Sequence, residues 1–99
     1  MTSTQGFLET VDQPEPPADV GAALQVLWWA RKGDWDKAHY CVQQHEGDPV
    51  CDLVHAHLHR QEGDLENAGH WYRSAGRPVP AMSLQDEWTT IVTELVSAR

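Results

Sequence analysis

Gly33-Asp34-Trp35-Asp36-Lys37-Ala38 and Gly63-Asp64-Leu65-Glu66-Asn67-Ala68 are one phrase written twice. In each copy a glycine ends one helix and an aspartate caps the next by accepting a free first-turn N–H. Two helix–break–helix units in one short chain predict an all-α protein.

Working outward, Asp19 reads as the N-cap of a first helix whose Val20, Ala23, Leu24, Leu27 and Trp28 follow a 3.6-residue period up to Gly33. Ala22, Val26, Trp29 and Ala30 make it apolar almost all round, as in a central or interfacial helix. The second helix has an expected inner stripe of Trp35, Ala38, Val42 and His45, and ends at Gly47. Asp48-Pro49 starts a third, because Asp accepts free N–H groups and Pro at the first position has none to leave unpaired. That helix runs to Glu62. The fourth repeats the stripe spacing with Leu65, Ala68, Tyr72 and Ala75 before Gly76. After the stiff Arg77-Pro78-Val79-Pro80 linker, Ser83 with Asp86 and Glu87 reads as a capping box. It opens a fifth helix with Leu84, Trp88, Ile91, Val92 and Leu95 on its face. Short connections predict about five antiparallel helices, forming two repeat-like hairpins and a C-terminal capping helix over 18–99. Residues 1–17 read as a flexible, acidic, Pro-rich arm, with Phe7 and Leu8 as the pair able to pin it to the domain.

Taking Pro49 as the start of a repeat, Ala68, Tyr72, Ala75 and Pro80 fall on the small, aromatic, small and proline positions of the tetratricopeptide motif, which the chain resembles over about Asp19 to Pro80. It departs from that motif where Asp52, His55 and His59 replace large apolar residues. The wording GDWDKAH with HAHLHRQEGDLENAGHWYRSAGRP also resembles a group of small uncharacterised bacterial and fungal proteins. The tetratricopeptide resemblance implies a non-catalytic module that binds a protein or peptide, or a second copy of itself, in a groove. Here that groove would offer Val50, Leu53, His57, Arg60 and Gln61.

A net charge of −8 argues against a nucleic-acid partner and against an anionic membrane surface. Without an apolar leader or spanning segment the expected location is cytoplasmic. Cys41 and Cys51 are too few for a disulfide scaffold and read as reduced, packed thiols. No serine, threonine or cysteine sits in a nucleophile motif, so no catalytic residue is assigned. Of the paired tryptophans Trp28 and Trp29, about 100° apart on a helix, one is expected to reach a rim where it can anchor a partner.

The histidines carry the alternative reading. His55-Ala56-His57-Leu58-His59 puts His55 and His59 four apart on one helix face, with Asp52 and Glu62 close in angle. A His pair with a carboxylate nearby can hold zinc at about 2.0–2.1 Å. This gives a metal set of His55, His59, Asp52 and Glu62, completed from elsewhere by Cys51 or His39, with hydrolysis as its furthest extension. The competing reading is a His pair on a half-exposed face, hydrogen-bonded to carboxylates or to the fourth helix. His57 falls among Val50, Leu53, Val54 and Leu58 and is expected to be a neutral core or groove histidine.

Overall fold

The computed structural model describes residues 3–98, so Met1 and Thr2 of the expected arm and Arg99 of the expected domain lie outside the described residues. It is all-helical, with no strand among the described residues. The described residues form six α-helices: α1 (Thr4–Glu9), α2 (Ala22–Lys32), α3 (Trp35–Gln43), α4 (Pro49–Gln61), α5 (Leu65–Ala75) and α6 (Leu84–Ser97). A 3₁₀ turn at Thr10–Asp12 follows α1.

The doubled phrase folds the same way both times. Gly33 and Gly63 take left-handed φ values of 92° and 89°. Gly33 N–H then reaches Ala30 O and Asp34 N–H reaches Trp29 O. At the second copy Gly63 N–H reaches Arg60 O and Asp64 N–H reaches His59 O. This pair of bonds satisfies carbonyls that a helix end leaves free. Asp34 and Asp64 then accept Lys37 and Asn67 N–H groups, each at 3.1 Å. Asp48 caps α4 through Val50 N–H and Cys51 N–H, with Pro49 at its first position.

Helix α4 is the centre of the molecule. Cys51 through His59 are buried without interruption, and α4 packs on α2, α3, α5 and α6. Trp35 and Trp88 clamp neighbouring helices by donating their indole N–H groups to Leu58 O (2.8 Å) and Leu27 O (2.7 Å). None of the described helices is long and apolar enough to cross a membrane.

Four expectations are corrected. Five helices become six, because 1–17 contains α1, whose Phe7 is fully buried beside Trp88. Thr10 and Lys32 fasten that segment: Thr10 Oγ1 accepts Trp28 Nε1–H, and Lys32 donates to Val11 O and Gln13 O. Helix α2 is capped by Gly21 rather than Asp19, and Val20 is buried just ahead of it. His45 and Leu65 leave their stripes for the surface, because α3 stops at Gln43 and Leu65 sits at the very start of α5.

Candidate metal centre

Helices α3 and α4 bring three imidazoles together. His39 comes from α3, and His55 and His59 are one turn apart on α4. One ring nitrogen from each lies within 4.8 Å of the others. His39 Nε2 and His55 Nε2 are 3.2 Å apart. Two imidazole nitrogens on one tetrahedral zinc, each about 2.0–2.1 Å from the ion, stand about 3.3 Å apart. The pair is already at ligand spacing, and His59 would have to close by at most about 1.5 Å to join it.

Aromatic rings fix the cluster. Trp35 stacks on His39 at 4.6 Å, and Trp71 of α5 stacks on His55 at 3.9 Å. His55 and His59 are only 2 % and 5 % exposed, so the face is buried rather than half-exposed, although His59 does meet a carboxylate, Glu62. Burial, together with the neighbouring His59 and His39, lowers the His55 pKa to about 4. Burial, with His59 next, also lowers that of His39. Both rings are therefore neutral at physiological pH, the form in which imidazole binds a cation.

Hydrogen bonding assigns the nitrogens. His59 Nδ1 lies 2.7 Å from Glu62 Oε2. A carboxylate only accepts, so Nδ1 carries the hydrogen and Nε2 is the ring atom left to face a cation. A carboxylate behind a metal-binding histidine orients the ring and raises its basicity. His55 Nδ1 is the one fully enclosed side-chain nitrogen or oxygen without a partner among the described residues. Leaving such a group unpaired costs about 1–3 kcal/mol.

The expected ligand set is therefore redistributed. His55 and His59 come together, and His39 joins them in place of Cys51. Glu62 stands behind His59 as its hydrogen-bond acceptor. Asp52, buried on α4, is outside the cluster: its carboxylate accepts Gly47 N–H and Ser74 Oγ–H, tying the α3–α4 turn to α5. No three-residue pattern marks His39 in the sequence, because its place depends on how α3 crosses α4.

The expected groove residues have other roles. His57 Nδ1 meets Glu87 Oε1 at 2.7 Å, and Arg60 Nη1 reaches the same oxygen at 3.2 Å. Arg60 also donates to Met82 O, and Tyr72 O–H donates to Glu87 Oε2. Burial alone would raise the Glu87 pKa, but the His57 and Tyr72 hydrogen bonds outweigh it and keep the carboxyl ionised. Gln61 Nε2 donates to Ala30 O. Helix α6 thus engages His57 and Arg60, while Val50 and Gln61 stay exposed. Trp28 is fully buried, so the rim position falls to half-buried Trp29, with Lys37 Nζ 4.5 Å above its ring. Burial pushes the Cys51 thiol up to about 11 and raises that of Cys41, consistent with packed, unreactive thiols.

Compared with known protein families, with curated proteins and with solved structures, the chain gives no match.

Proposed function

We propose that this chain is a small metal-binding protein whose ligands are His39, His55 and His59, with Glu62 orienting His59. The 3.2 Å approach of two neutral Nε2 atoms carries the reading. Three imidazole nitrogens and no thiolate suit zinc and its borderline divalent neighbours, nickel and copper. Three protein ligands leave a fourth position for water, the arrangement found in catalytic rather than closed structural zinc sites. Hydrolysis by a metal-bound water is the activity that arrangement would serve.

Cobalt(II) titration of metal-free protein tests the reading. A one-to-one endpoint with a tetrahedral visible spectrum and a Kd at or below about 1 μM is expected, lost in His39→Gln and weakened in Glu62→Gln. Binding no tighter than about 100 μM, or a His39→Gln variant that binds as well as the parent, overturns it.

The second reading is a helical-repeat interaction module, with α2/α3 and α4/α5 as antiparallel hairpins capped by α6. The matched Gly-Asp connections support the repeat, and the exposed Tyr40 supports the interaction. A partner protein or second copy would use the shallow cavity of about 500 Å³ lined by Trp29, Lys37 and Tyr40. Cytoplasmic location belongs to both readings. A sedimentation coefficient that stays flat over a wide dilution removes the self-association form.

A further inference from the structure

Away from the three-histidine cluster, the outer face of the α2/α3 hairpin carries a protruding ring beside a hole. The ring is Tyr40, at 69 % the most exposed large apolar side chain among the described residues. The hole is the shallow cavity of about 500 Å³, walled on the α2 side by Gln25 and Trp29. Its other wall is Asp36, Lys37, Tyr40, Cys41, Gln44 and His45. Gln44 and His45 prolong α3 by a turn, with N–H bonds to Cys41 O and Val42 O.

Those six positions are symmetric about the point midway between Tyr40 and Cys41. A two-fold axis through that point sets α3 antiparallel to the α3 of a second copy, so each wall meets itself reversed. Asp36 then faces His45, Lys37 faces Gln44, and Tyr40 faces Cys41. Every match suits its members. Asp36 offers a carboxylate to an imidazole, which has an N–H to donate in either tautomer. Gln44 spends its Nε2 on Tyr40 O and keeps its amide oxygen for the Lys37 ammonium. Tyr40 passes the half-buried Cys41 into the hole beside the second copy's Trp29. Like charges stay apart. At 1.5 Å per residue the two Asp36 side chains are separated by about 13 Å along the helices and the two Lys37 by about 10 Å, beyond the screening length of about 8 Å at physiological salt.

Charge also selects this face. The chain carries 15 acidic residues against seven Lys and Arg, so two copies repel on the whole. The cavity wall holds one acid, Asp36, and one cation, Lys37, and its two charges cancel.

We infer that two copies of this chain pair through the α2/α3 face in this register, with Tyr40 of each filling the cavity of the other. The inference rests on the interaction-module reading and is independent of the metal site. Eight wall residues a side fall well short of the roughly 20–30 of a stable interface, so the dimer is weak, with a Kd on the order of 100 μM.

The test is sedimentation equilibrium of the full chain in chelator, from about 10 μM to 1 mM. The parent should pass from monomer to dimer with a midpoint on the order of 100 μM. Tyr40→Ala changes an exposed position, so it should keep the parent's Tm and weaken pairing at least about tenfold. Leu65→Ala removes an equally exposed side chain, at 68 %, away from the cavity and should change nothing. The register is read through charge. Gln44→Lys sets ammonium against ammonium and should weaken pairing roughly tenfold, and an equal amount of Lys37→Glu should restore it by facing that ammonium with a carboxylate. A monomer at every concentration overturns the inference and the self-association form of the reading together. Dimers that survive Tyr40→Ala, or that Leu65→Ala weakens equally, overturn this face and leave self-association standing. A mixture that pairs no better than Gln44→Lys alone overturns the register.

Discussion

Glu87→Gln removes the charge around which α4, α5 and α6 are fastened. In the parent, one carboxylate that is 3 % exposed receives His57 and Arg60 on Oε1 and Tyr72 on Oε2. The amide keeps the shape, but its NH₂ faces donors that it cannot satisfy. Breaking a buried ion pair by removing one partner costs about 3–5 kcal/mol. Arg60 keeps the Met82 carbonyl, and its side chain is 17 % exposed, so part of its lost partnership is recovered in water. The low end, about 3 kcal/mol, is the expected loss. For a domain of this length, each kcal/mol moves Tm by about 4–8 °C, so Tm should fall by about 12–24 °C. Tyr72→Phe should cost less, about 1.5 kcal/mol, because it takes away one donor and leaves the carboxylate two. Urea unfolding followed by tryptophan fluorescence measures both, since Trp88 is the neighbour of Glu87 on α6. A Glu87→Gln loss below about 0.5 kcal/mol, or a Tyr72→Phe loss equal to it, would refute the reasoning. The carboxylate would then not be the group that holds α6 against α4.

Metal-free protein should lose stability as pH falls from about 6.5 towards 4. Burial and then His59 hold the folded His55 pKa at about 4 against 6.5 unfolded, so across this window the unfolded chain binds the extra proton. The depressed value makes the fold safest above pH 6.5, and about 3 kcal/mol is forfeited near pH 4, with His39 adding in the same direction. Chemical denaturation at several pH values checks this, and a flat profile contradicts it. Two glycines should respond in opposite directions. Gly63→Ala meets no neighbouring atom but sits at φ +89°, so it should cost about 1–2 kcal/mol. Gly69→Ala lies inside α5, where its Cβ would touch Arg73 Nη1 at an ordinary 3.6 Å, so it should gain about 0.8–1 kcal/mol. Thermal melts of the two variants that moved in the same direction would show that backbone conformation is not the deciding factor.

What the sequence disclosed was local. Gly33, Asp34, Gly63 and Asp64 act on atoms within five residues of themselves, so their spelling alone gives the helix ends. The features it hid are non-local. Averaged over seventeen residues, the arm looks unable to form structure; Phe7 could be named as its pin, but not Trp88, eighty-one positions away, as the ring it packs on. Ser83, Asp86 and Glu87 read as one capping box, but Ser83 binds the Asp86 N–H and Glu87 turns inward to His57, Arg60 and Tyr72. Periodicity placed His55 and His59 together because they share α4, and it could not choose His39 over Cys51, because that choice is made by helix crossing. Asp52 lay at the right angle for a ligand but was claimed by Gly47 and Ser74.

The fold treats the histidines of α4 differently. Asp52, His57 and His59 are buried polar groups with partners, as burial requires. His55 is equally buried, but its Nδ1 has no partner and its Nε2 meets only another imidazole. A fold selected for stability alone would place an apolar ring there, stacked on Trp71. His55→Phe or His55→Leu should therefore raise metal-free stability by about 1–3 kcal/mol, the cost of the orphaned nitrogen. The same change should erase stabilisation by metal, which for a bound ion at a hundred times its Kd is about 2.7 kcal/mol. Melting the parent and both variants with and without zinc reads the two effects together. If both variants are less stable than the parent without metal, the fold itself depends on the His55 ring, and its burial then says nothing about a ligand.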